Sequence, residues 1–212
     1  MSRLERVAEQ YREHHRTARS EDFVFAGPER AALFRRYVGG PGRRVLDLGC
    51  RYGALTRAYA AGNEVVGVDV DRDALEQAAA LGIDTRWADV EEPLPFEDDS
   101  FDVVVAGELL EHMREPGAVV AEALRILRPE GRLVGSVPNF YRLKNRLQFV
   151  LGRTPDFFDD PTHLHFFSPA ELRALLAGFD DVELHFVAGR LTRLHPRLFG
   201  NDVVFSARKP PR

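Results

Sequence analysis

The sequence predicts a doubly wound α/β protein: a seven-stranded, mostly parallel sheet with an antiparallel hairpin at one edge and helices on both faces. Three observations predict it. Short apolar runs alternate with helical patterns, as happens where a parallel sheet is covered on both sides. The first of those runs, RVLDLG at 44–49, ends in glycine and opens a turn. The last two, at about 181–188 and 202–208, follow each other with no helix between them, as an antiparallel pair can.

Residues 3–19 read as a polar helix and 28–38 as a second, with Pro28 suited to its first turn. The run GGPG at 39–42 breaks the chain before the strand 44–49. A helix is expected over about 53–61, stopped by Gly62 and Asn63. EVVGVDV (64–70) is the second strand, DALEQAAALG (73–82) a helix, and 84–88 a weaker strand. An acidic, proline-bearing loop at 91–100 leads into the very apolar strand FDVVVAG (101–107). A helix over about 116–128 and the strand 131–137 follow. Ser168, Pro169 and Glu171 form a capping-box pattern that opens a helix to about 179.

At 212 residues, 44% hydrophobic and 29% charged, the chain reads as one globular domain over 1–212. Within it, 1–40 is expected to be a helical cap and 139–168 a lid over the substrate. No apolar run approaches the roughly 20 residues that cross a bilayer. The charged first residues show no signal-peptide pattern, and Cys50 has no cysteine to pair with. Both point to a cytoplasmic setting. A net charge of −4 weighs against a general nucleic-acid binder.

Ligands of such sheets bind beyond the carboxyl ends of the strands, where strand order reverses. Asp47-Leu-Gly-Cys-Arg-Tyr-Gly53 sits there, with Gly49 allowing a tight turn and Gly53 a close approach of the following chain. The second strand ends in Asp69, 22 residues after Asp47, where a carboxylate can accept from both ribose hydroxyls. Asp89 follows the third strand, placed to accept from an adenine amino group. Three acids at three strand ends suit a cationic sulfonium cofactor without phosphate better than a dinucleotide, whose pyrophosphate wants helix N–H groups.

The series VLDLGCRYG, VVGVDVD, WADVEEPLPFEDDSFDVVVAGELLEH and RPEGRLVGSVPN resembles the motif set of class I S-adenosylmethionine-dependent methyltransferases, of the type 11 and MetW-like groups. The resemblance covers about residues 43–140 and implies a Rossmann-like fold. It implies that Asp47, Gly49 and Gly53 hold the methionine part, Asp69 and Val70 the ribose, and Asp89 and Val90 the adenine. Ala106, Gly107 and Glu108 would line the floor. Arg51 stands where the family usually has its middle glycine, adding bulk and charge beside the cofactor.

An oxygen nucleophile needs its proton removed, and histidine is the usual base. Glu108-Leu-Leu-Glu111-His112 would place Glu108, Glu111 and His112 on one helical face. It resembles the E-x-x-E-H element of metal-assisted O-methyltransferases, which with His163 implies a Mg²⁺ site. The reading without metal leaves Glu111, His112 and His163 as catalytic candidates, and His163 and His165 would share one side of an extended strand. Segment 139–161 mixes Phe140, Tyr141, Phe149, Phe157 and Phe158 with Arg142, Lys144, Arg146 and Arg153. Leu143, Leu147, Val150 and Leu151 are spaced for a short amphipathic helix that could cover substrate, dock on a membrane or pack in a homodimer. Tyr11, Phe23 and Phe25 are placed near the cofactor or acceptor.

The function expected is methyl transfer from S-adenosylmethionine to the oxygen of a small or medium hydroxylated acceptor. Two alternatives stay open. One is a MetW-like module that binds S-adenosylmethionine and regulates a biosynthetic partner enzyme, on the likeness of PNFYRLKNRLQFVLGRTP. The other is an RNA 2′-O-methyltransferase.

Overall fold

The computed structural model describes residues 4–5, 7–9, 27–155, 158, 160 and 162–212. Tyr11, Phe23, Phe25 and Phe157 lie outside the described residues, as does most of the expected first helix. Seven strands form one sheet: β1 (Arg44–Leu48), β2 (Glu64–Asp69), β3 (Asp84–Trp87), β4 (Phe101–Gly107), β5 (Leu127–Pro138), β6 (Asp180–Val187) and β7 (Asp202–Arg208). Their order is β3-β2-β1-β4-β5-β7-β6. The first five run parallel, whereas β7 pairs antiparallel with both β5 and β6. Strand order reverses between β1 and β4, which is where such sheets bind ligands.

The helices are α1 (Gly27–Val38), α2 (Arg72–Ala80), α3 (Pro116–Ile126), α4 (Leu143–Val150), α5 (Pro169–Leu175) and α6 (Pro196–Phe199). Alternation along the buried strands sends side chains to two cores. Val45, Val103, Val105, Val134 and Val204 pack with Phe34 and Val38 of α1. Leu46, Val104, Leu133 and Phe205 pack on the other face with Val120, Ile126 and Leu172. Burying that apolar surface is the main stabilising term, at about 25 cal/mol per Å².

Local chemistry sets most boundaries. Asp71 caps α2 by accepting from the amides of Asp73 at 3.1 Å and Ala74 at 3.4 Å. The Ser168 box closes in both directions: Ser168 Oγ accepts from the Glu171 amide at 3.2 Å, and Glu171 Oε2 accepts from the Ser168 amide at 2.7 Å.

Three expectations are corrected. β6 and β7 are an antiparallel pair, but the short helix α6 (Pro196–Phe199), opened by Pro196 at its first position, lies between them where no helix is expected. Residues 53–61 form turns around a short 3₁₀ segment, Thr56–Ala58, and no α-helix. The cause is Asp47, whose Oδ2 accepts from both Thr56 Oγ1 and Tyr59 OH at 2.6 Å and draws this stretch against the strand end. In segment 139–161, α4 forms as expected, but its buried residue is Asn145, whose side-chain amide donates to the Phe140 carbonyl at 2.8 Å. Leu147, Val150 and Leu151 are exposed at 51%, 82% and 68%.

Candidate active site

The loop after β1 is built from left-handed residues. Gly49 has φ +71° and Gly53 +75°, and a Cβ on Gly53 would lie 2.7 Å from Ile83 Cδ1. Arg51, at φ +48°, takes the left-handed geometry that a glycine there would adopt at lower cost. Its amide donates to Asp69 Oδ2 at 2.9 Å, and its guanidinium carbon lies 5.3 Å from the ring centroid of Tyr52. Asp69 Oδ1 accepts from the Asp71 amide at 2.9 Å, so this acid pins the β1 loop to the end of β2.

Asp47 is buried, and burial pushes its carboxyl up to about 6 despite the two hydroxyls that lower it. It braces the loop from beneath through Thr56 and Tyr59. Val70 lies beside the β3 end, where its carbonyl accepts from the Trp87 indole N–H at 2.9 Å. Asp89 Oδ1 accepts from the Glu91 amide at 3.0 Å, and Val90 is buried. Ala106 and Gly107 end β4 beside β1, and a Cβ on Gly107 would meet Leu55 at 3.0 Å. The acids and glycines read from the sequence are thus gathered along one edge of the sheet.

Glu108 does not join Glu111 and His112, which corrects the expected convergence of all three. Its φ of +52° turns the chain, and Leu110–His112 is a 3₁₀ turn, so the helical i, i+3, i+4 geometry never forms. Glu108 Oε1 instead accepts from Ser136 Oγ at 2.9 Å and lies 3.3 Å from Arg30 Nη1. The same guanidinium nitrogen is 3.6 Å from Asp202 Oδ2. Arg30, Ser136 and Asp202 are all buried. The sequence carried no local sign of this cluster, because α1, β5 and β7 meet only in the fold.

Glu111, His112 and His163 do come together, each offering one donor atom within 4.8 Å of the others. The Glu111 carbonyl accepts from the amides of Leu164 at 2.8 Å and His165 at 3.0 Å, which ties the turn after β4 to the segment before α5. His112 Nδ1 lies 3.0 Å from both the carbonyl and the hydroxyl of Thr162. An Nδ1–H donated to that carbonyl leaves Nε2 as the lone-pair nitrogen, 3.9 Å from Glu111 Oε1. The His112 and His163 rings stand 4.8 Å apart, and Phe140 meets His163 edge-on at 5.7 Å.

The Glu111 side chain is fully buried, and neither carboxylate oxygen has a hydrogen-bond partner among the described residues. Burial, and then the charge of Glu108, push its carboxyl well above the usual carboxylate range. Burial, and then His163, push the His112 imidazole down to about 4. Asp160 and Thr162 were missed in the sequence. Asp160 Oδ2 lies 3.9 Å from His163 Nε2, and only the folded segment shows it.

A sheet of this order with acids at successive strand ends defines a class I methyltransferase fold. A family model described as a methyltransferase domain matches residues 46–135. The chain is 35% identical over 170 residues to a ubiquinone biosynthesis O-methyltransferase of Hahella chejuensis, covering 75% of this chain and 67% of that one. It is 31% identical over 176 residues to the protein of the same name in Idiomarina loihiensis, covering 74% and 70%. A SAM dependent methyltransferase from Archaeoglobus fulgidus shares the fold with a TM-score of 0.74 at 22% identity, covering 94% of this chain and 99% of that one. The chain belongs to the S-adenosylmethionine-dependent methyltransferases and is an enzyme of that family. Of several longer relatives it spans little more than half, 52% to 59%.

Proposed function

We propose that the enzyme transfers a methyl group to the oxygen of a small or medium hydroxylated acceptor, seated between the β1 loop and the Glu111–His112–His163 cluster. The observation that carries this reading is the cluster itself: two imidazoles beside the buried Glu111 carboxylate, whose oxygens have no hydrogen-bond partner among the described residues, at the edge of the sheet that holds the cofactor loop. The names of the relatives support oxygen as the atom methylated.

S-adenosylmethionine, when bound, supplies a methyl group already activated on sulfur, which leaves the protein chiefly the work of positioning. Asp69 and Val70 hold the ribose, Asp89 and Val90 the adenine, and Asp47, Gly49, Arg51 and Gly53 shape the turn around the methionine part. Ala106, Gly107 and Glu108 form the floor. Phe140, His163 and Phe166 close one wall, with the Phe140 ring edge-on to both of the others. His163 Nε2 takes the acceptor hydroxyl proton, and Asp160 stabilises the imidazolium that forms. His112 is held by Thr162 and keeps the Glu111 side of the pocket fixed.

The donor set also fits a divalent cation, since imidazole and carboxylate together are ordinary ligands for such ions. Glu111 fits best of the three, because a cation would let a buried carboxylate with no hydrogen-bond partner among the described residues ionise. A bound cation would supply Lewis-acid polarisation of the acceptor hydroxyl. Glu108 is outside this set, held by Arg30 and Ser136.

The test is product formation from methyl-labelled S-adenosylmethionine with phenol- and catechol-bearing acceptors, followed by location of the label. Label on oxygen supports the reading. Label on nitrogen or carbon, or no turnover of any hydroxylated acceptor, overturns it.

A further inference from the structure

Arg51 is the only basic residue between 45 and 56, and it lies in the loop that turns around the cofactor. The acids at 47 and 69 make this edge of the sheet attractive to a cation, whereas Arg51 opposes them from inside the loop. Its backbone stands at φ +48°, a conformation that costs any side chain more than glycine. A residue other than glycine kept in such a geometry points to a use for its side chain.

The guanidinium does not stand out in water. Its Nε and Nη2 are shielded from solvent, and its carbon lies 5.3 Å from the Tyr52 ring centroid. The Arg51 amide donates to Asp69 Oδ2 at 2.9 Å, which fixes where the side chain starts. Burial raises the Asp69 carboxyl, while the Asp71 and Arg51 amides lower it, and so does the Arg51 charge. The positive charge is thus within electrostatic reach of the acid assigned to the ribose, in a place where water screens it poorly.

We propose that Arg51 sets the balance between S-adenosylmethionine and its demethylated product, S-adenosylhomocysteine, tilting it toward the product relative to a glycine at this position. Transfer breaks the sulfur–methyl bond and joins that methyl to the acceptor oxygen, whose proton leaves to a base. Sulfur keeps the electron pair and becomes neutral. Cofactor and product share the adenine, the ribose and the amino-acid carboxylate, so attraction of the guanidinium to that carboxylate is common to both. They differ by one methyl and one positive charge, and the charge alone is repelled by Arg51. Even about 10 Å apart, at an effective dielectric of about 20, two unit charges repel strongly enough to move an equilibrium on the order of tenfold. Turnover therefore depends on the ratio of cofactor to product, and a reaction that consumes S-adenosylhomocysteine has to accompany this one. The proposal rests on the cofactor assignment and not on which atom of the acceptor is methylated.

The experiment is calorimetric titration of the full chain with S-adenosylmethionine and, separately, with S-adenosylhomocysteine, with no acceptor present. Arg51→Met removes the charge and keeps much of the length, and the ratio of the two Kd values should move about tenfold toward S-adenosylmethionine. Arg51→Gly, which also relieves the backbone, should move it as far and carries the same test if Arg51→Met does not fold. Arg51→Lys keeps the charge and should leave the ratio near that of wild type. A ratio unchanged by loss of the charge overturns the proposal. So does a shift in Arg51→Lys equal to that in Arg51→Met, which assigns the effect to side-chain shape. Neutral variants that fold but lose both ligands by the same factor overturn it too, and make Arg51 a residue that merely holds the cofactor. Wild type binding neither ligand overturns the cofactor assignment itself, and the proposal with it.

Discussion

Arg30→Met should destabilise the protein far more than loss of a surface ion pair would. Arg30 is 5% exposed, with one guanidinium nitrogen 3.3 Å from Glu108 Oε1 and 3.6 Å from Asp202 Oδ2. Methionine fills much of the volume but leaves two carboxylates facing each other without their cation. Removing one partner of a buried charge cluster costs about 3–5 kcal/mol. Burial, and then Glu108, already hold the Asp202 carboxyl well above its ordinary range. A group raised on folding contributes stability that is complete below its unfolded pKa and lost as pH rises through the folded one. The loss in Arg30→Met should therefore be smaller at acid pH, where a proton replaces the cation, and larger in alkali. Urea unfolding can be followed through Trp87, which is held by Val70 and by Arg72 stacked 3.6 Å from its ring centroid. A loss under about 1 kcal/mol at alkaline pH, or one independent of pH, would refute the reasoning. Adding Glu108→Gln and Asp202→Asn should restore much of what Arg30→Met removes.

The other predictions concern the cofactor loop and the histidine cluster. Asp47 has its carboxyl raised to about 6 by burial, so wild type should lose stability between about pH 4 and 6 relative to Asp47→Asn; parallel stability curves across that range would refute this. Gly53→Ala meets Ile83 at 2.7 Å in a left-handed backbone, with an expected cost of about 1–3 kcal/mol and weaker S-adenosylmethionine binding, both readable by calorimetry. Asp69→Asn places a donor toward one of two backbone amides, and should lower cofactor affinity by about tenfold or more. If the Glu111 cluster holds a cation, chelation should abolish turnover, with Mg²⁺ or Mn²⁺ restoring it; turnover indifferent to chelator removes the cation and leaves His163 as base.

What the sequence made legible was mainly local. The run FDVVVAG could only be a strand buried on both faces, and Ser168-Pro169-Ala170-Glu171 carries its whole cap within four residues. The acids at 47, 69 and 89 were legible because each stands at, or within two residues of, the carboxyl end of its strand. The helix expected at 53–61 failed because hydroxyls of Thr56 and Tyr59 turn toward Asp47, which competes with helical packing. Glu108 was misplaced because spacing assumed a helix that its positive φ forbids. Arg30 and Asp202 could not be found at all, since their meeting depends on α1 crossing β5 and β7. The outward face of α4 was equally hidden, as apolar spacing tells which side chains align and not whether that stripe faces core or solvent.

The most direct test of the account is His163→Ala, assayed for turnover of a hydroxylated acceptor and, by calorimetry, for S-adenosylmethionine affinity. Loss of a positioned base predicts a kcat lower by about 10²–10⁴, with cofactor affinity unchanged because the β1 loop and Asp69 remain. Wild-type kcat, or a matching loss of cofactor affinity, would contradict the assignment of His163 to the acceptor's proton.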